Sequence, residues 1–109
     1  MDESLFKTLM LAGEGDENLD ELIGMGYFKV IDGSVCRTDK FLADTGRFID
    51  GKKELLYQAV KEMGGAEDME AVMAKAGIKD FITFIFVAEE LVGEGKLVKD
   101  KVKNVVLKQ

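Results

Sequence analysis

The sequence predicts a small α+β protein: a helix–helix–hairpin unit followed by a helix–helix–turn–helix–hairpin unit. Three observations predict it. Apolar residues recur at helical spacing in successive segments, two β-prone stretches flank the dipeptide Asp32-Gly33, and glycines close most of the helical segments. The hydrophobic share of 47% is enough for a core, and with 33% charged residues the chain has a globular balance and not that of a disordered one. The expected division is 1–50 and 51–109, the two packed as one body.

Residues 3–12 place Leu5, Phe6, Leu9, Met10 and Ala12 at helical spacing, and Gly13 and Gly15 stop the helix. Asp16 is the expected N-cap of a short second helix with Leu19, Leu22 and Ile23 inward. Residues 27–31 and 34–38 flank Asp32-Gly33, which reads as a type I′ hairpin pairing Val30 with Val35 and Lys29 with Cys36. Thr38 is placed to cap a short helix over 39–45 that Gly46 ends. Asp50 precedes a further helix over 52–63, with Leu55, Leu56, Ala59, Val60 and Met63 as its apolar stripe and Gly64-Gly65 as its end.

Residues 67–76 form another expected helix, with Met69, Val72 and Met73 inward and Gly77 as a left-handed C-cap. Asp80 then caps the segment that follows. Propensity alone favours a strand for Phe81 to Val87. Length and continuity into Ala88-Glu89-Glu90-Leu91-Val92 favour a helix, which is the expectation here. Residues 96–99 and 102–107 read as two strands around a polar turn at Asp100-Lys101.

From residue 52 the order is helix, helix, tight turn, helix, hairpin. The corner Ala76-Gly77-Ile78-Lys79-Asp80 has a glycine at the bend, an apolar anchor and a cap for the next helix. Leu91, Gly95 and Leu97 end the third helix and lead into the hairpin. On these residues the second half resembles the winged-helix superfamily, with no particular family within it. An internal echo accompanies this: residues 21–28 (ELIGMGYF) and 90–97 (ELVGEGKL) share Glu, Leu and both glycines in register. Two readings of the echo stand: a tandem of winged-helix-like units with the first abbreviated, or two helix ends that converged on one cap.

The composition bears on function. The longest apolar run is too short to span a bilayer, and the acidic start Met1-Asp2-Glu3-Ser4 lacks the positive region of a secretory signal. The one cysteine, Cys36, excludes an internal disulfide and fits a reducing compartment, so a cytoplasmic protein is expected. With no histidine, the commonest general base is missing and a zinc site of the usual kind cannot be built. The glycine pairs at 24/26 and 93/95 follow helices and do not make a dinucleotide fingerprint. Cys36 reads as a half-buried strand residue. The carboxylates Glu14, Asp16, Glu17, Asp20 and Glu21 read as a solvated helix start, since their spacing does not fit a calcium loop. No enzyme activity, cofactor, metal or membrane association is expected.

In a winged helix the third helix is the one that enters a major groove. Projected here, its inner face is Phe81, Ile85, Ala88 and Leu91 or Val92. Its outer face is Asp80, Thr83, Phe84, Val87 and Glu90, with Ile82 and Phe86 at the edges. A face that apolar and acidic suits protein better than DNA, so the first expectation is an interaction or regulatory module. Phe84, Phe86 and Val87 would anchor a protein partner or a second copy. The second is nucleic-acid binding, with Lys75, Lys79, Lys99, Lys101 and Lys103 on phosphates and Thr83 on a base. Charge is divided in a way that keeps both in view. Residues 1–51 hold five basic side chains against eleven acids, whereas residues 52–109 hold ten against ten. The lysines would form a phosphate-touching rim, or simply discourage edge-to-edge strand pairing.

Overall fold

The computed structural model describes residues 1–13, 15–100 and 104–107. The protein is α+β, and its chain divides into two compact units, Met1–Phe48 and Ile49–Gln109.

In the first unit α1 spans Glu3–Leu11, with the Asp2 carboxylate accepting the Leu5 N–H at 2.8 Å as its cap. It buries Phe6 and Leu9. α2 is shorter than expected, Leu19–Gly24, and its N-cap is Asn18 instead of Asp16. The Asp16 side chain accepts the Asn18 N–H at 3.0 Å, a bond to the backbone two residues on that builds a turn before the helix. β1 (Phe28–Ile31) and β2 (Ser34–Arg37) pair in the expected antiparallel register, Val30 with Val35 and Lys29 with Cys36. Asp32 and Gly33 both take positive φ, 50° and 80°, as a type I′ turn requires. Leu9, Leu22, Tyr27, Phe28 and Phe41 make this unit's core.

Thr38 caps the next helix as expected, its hydroxyl accepting the Phe41 N–H at 3.2 Å and donating to the Gly26 carbonyl at 2.5 Å. That helix does not stop at Gly46. α3 runs unbroken for 25 residues, Asp39–Met63, so the two expected helices are one and Asp50 lies inside it. The physical reason is a continuous inward stripe. Phe41, Thr45, Leu56, Ala59 and Val60 are buried, with Phe48, Ile49 and Lys52 half-buried between them. Burial along that stripe outweighs a helix penalty of about 1 kcal/mol per glycine. Leu55 and Met63, expected inward, are exposed because the stripe is centred one residue away. A Cβ added at Gly46 or Gly51 would meet nothing within 4 Å. Gly46→Ala and Gly51→Ala are each expected to raise stability by about 0.5–1 kcal/mol. Urea midpoints check this, and a loss at either position would mean the backbone there is not helical.

In the second unit α4 (Met69–Ala76) starts on the Asp68 cap and ends at Gly77 in the left-handed conformation. The Ile78 N–H donates to the Met73 carbonyl at 2.8 Å, closing the corner. α5 (Phe81–Gly93) follows, with the Asp80 carboxylate accepting the Ile82 N–H at 2.8 Å. β3 (Leu97–Asp100) and β4 (Asn104–Leu107) form the second hairpin, Leu97 opposite Leu107 and Asp100 opposite Asn104. The core gathers Leu56, Val60, Val72, Ile78, Phe84, Val87, Leu91 and Leu97.

The internal echo has a structural counterpart. After α2, the N–H groups of Met25, Gly26 and Tyr27 donate to the carbonyls of Glu21, Ile23 and Leu22. After α5, those of Glu94, Gly95 and Lys96 donate to Glu90, Val92 and Leu91, position for position. Gly26 and Gly95 sit at φ 88° and 77°, a region that a side chain strains. Each helix therefore ends in the same cap, and a hairpin follows both times.

Candidate functional site

The orientation of α5 decides the expected site. Its buried residues are Thr83, Phe84, Val87, Ala88 and Leu91. Phe84 and Val87, expected on the outer face, are 4% and 0% exposed and belong to the core of their own unit. Phe86 is half-buried, while Phe81, expected inward, is 48% exposed, its ring stacked on Phe84 at 6.1 Å. The buried face lies about one residue from the expected one, because positions 81 to 88 are almost all apolar and give no phase. At about 100° per residue, the exposed pair Glu89 and Glu90 marks the solvent side, and the buried set lies opposite.

Thr83 is 0% exposed, so it cannot meet a base. Among the described residues its buried Oγ1 has no hydrogen-bond partner. The lysines fare differently. Lys75 is ion-paired with Glu62 at 2.8 Å, both exposed, and Lys99 with Glu89. Lys79 is exposed and, with Glu70, Met73, Ala74, Gly77 and Ile78, lines a cavity of about 480 Å³ at the corner. Lys101 and Lys103 lie outside the described residues, as does Glu14 of the acidic cluster. Cys36 is half-buried.

A polar cluster in the first unit escaped the sequence reading. The Tyr27 hydroxyl donates to Asp44 Oδ2 at 2.9 Å, and Arg47 Nη2 donates to Asp44 Oδ1 at 2.5 Å. Tyr27 opens the first hairpin and Asp44 and Arg47 lie one turn apart on α3, so only the folded unit joins them. With Met1, Leu5 and Phe48 they line a cavity of about 400 Å³. Burial, then the neighbouring carboxylate, pushes the Tyr27 phenol above its ordinary pKa. The bond from Tyr27, then that from Arg47, holds Asp44 below the usual carboxylate range.

That shift has a sign. Asp44 binds its proton less tightly folded than unfolded, so it stabilises the fold above about pH 4 and the contribution fades as pH falls. Asp44→Asn is expected to lose less stability than the parent between neutral and acid pH, as read from urea midpoints at both. On the second unit, Lys53 bridges Asp50 at 3.0 Å and Glu94 at 2.6 Å, tying α3 to the end of α5.

Among the described residues, no group of His, Cys, Asp and Glu could hold a metal ion, and no helix is long and apolar enough to cross a membrane. No protein family, curated protein or solved structure matches the chain.

Proposed function

We propose that the protein is a small interaction module without chemistry of its own, and that its second unit is a winged helix that binds a protein partner. The order of α4, glycine corner, capped α5 and hairpin supports the winged-helix reading. The observation that carries the choice of partner is the solvent side of α5, where Glu89 and Glu90 are both exposed. Carboxylates there repel phosphates, and Thr83, the hydroxyl expected to read a base, is buried. Lys75 and Lys99, two of the lysines expected on the rim, are paired with glutamates, which leaves less of their charge for a phosphate. A second copy docked two-fold on this side would set the exposed Glu89 and Glu90 against like charges, so a protein with a basic contact surface is the better fit.

The double change Glu89→Lys, Glu90→Lys tests this. The parent should leave a labelled mixed-sequence duplex unbound at low salt, and the variant should acquire salt-sensitive binding. In pull-downs the same variant should lose a protein that the parent retains. Duplex binding by the parent that weakens steeply with salt would replace this reading with the nucleic-acid one.

A further inference from the structure

We infer that the cavity of the first unit is a binding site for a free α-amino acid with an apolar side chain. This goes beyond the interaction reading and does not rest on it.

The cavity holds about 400 Å³, within the range of small-ligand sites. Leu5 and Phe48 give it an apolar wall, and the Phe48 ring is braced by Phe6 at 4.6 Å between centroids. Tyr27, Asp44 and Arg47 give it a polar side. The Tyr27 phenol is buried, and its bond to Asp44 fixes the carboxylate. A carboxylate offers roughly four acceptor directions, and Asp44 uses one on each oxygen, for Tyr27 and for Arg47. A guanidinium offers about five donors, and the Arg47 side chain, 77% exposed, spends one nitrogen on Asp44.

A spare acceptor of negative charge and spare donors of positive charge therefore face one cavity with an apolar wall. A simple carboxylic acid would satisfy Arg47 but face the Asp44 charge. A simple amine would satisfy Asp44 but face Arg47. A molecule with an ammonium and a carboxylate on one carbon satisfies both, and its side chain enters the space beside Leu5 and Phe48.

Calorimetric titration with L-phenylalanine and L-leucine tests the site. At least one should bind saturably at one site. N-acetyl-L-phenylalanine, without the ammonium, and L-phenylalaninamide, without the carboxylate, should each bind about tenfold more weakly or worse. Asp44→Asn and Arg47→Gln should each weaken the parent amino acid to a similar degree. Arg47 is so exposed that Arg47→Gln keeps its fold, checked by circular dichroism, which preserves the test should Asp44→Asn unfold. No saturable heat from either amino acid at about 10 mM, or binding indifferent to Arg47→Gln, would overturn the assignment. The titration uses the protein alone, so its failure leaves the partner reading on α5 untouched.

Discussion

Phe84→Ala is expected to lower the stability of the protein by about 3–5 kcal/mol. Phe84 is 4% exposed and sits in the second unit's core with Val60, Val72, Val87 and Leu91. Truncation removes the transfer energy of a phenyl ring and leaves a void that helices pinned at both caps fill only in part. Small domains have about 5–15 kcal/mol in total, so the variant should sit near its unfolding midpoint under mild conditions. Urea unfolding followed by circular dichroism measures the loss. Were Phe84 a solvent-facing anchor, the same change would leave stability within about 0.5 kcal/mol and act only on association.

One residue earlier the expected sign reverses. Thr83→Val should stabilise the protein by about 1–2 kcal/mol. The two side chains have nearly the same shape, and Thr83 Oγ1 is buried with no partner among the described residues. A hydroxyl left unpaired in an apolar interior carries its full desolvation cost, which a methyl group does not. In calorimetry the midpoint should rise by about 4–8 °C for each kcal/mol. A fall in midpoint would mean that the folded protein satisfies this hydroxyl. Opposite signs at adjacent positions make the pair a sharp probe of how α5 is turned.

Local chemistry was the legible part of the fold. Asp32-Gly33 specified its turn, and the turn fixed the strand register. Gly77 and Asp80 marked one helix end and the next helix start. Thr38 acted as a cap as well. What failed needed tertiary context. Gly46 carries the local signature of a helix end, yet a burial stripe that spans it overrides that signature. The apolar run over 81–88 hides its own phase. Glu89 and Glu90 held the missing information, since two carboxylates at the end of so apolar a helix have to face water. The cluster of Tyr27, Asp44 and Arg47 was illegible for another reason. Its members are ordinary surface-type residues by sequence, and only the packing of the first hairpin against α3 within its unit brings the phenol to the carboxylate.

Everything proposed for α5 follows from its rotation, and thiol accessibility reads that rotation most directly. In a Cys36→Ser background, Val87→Cys and Glu89→Cys place one thiol on each side of the helix, about 160° apart. Glu89→Cys should react with a maleimide at the rate of a free thiol, and Val87→Cys should be protected by orders of magnitude until urea is added. Equal labelling at both positions, or faster labelling at 87, would show the apolar side turned to water and contradict this account.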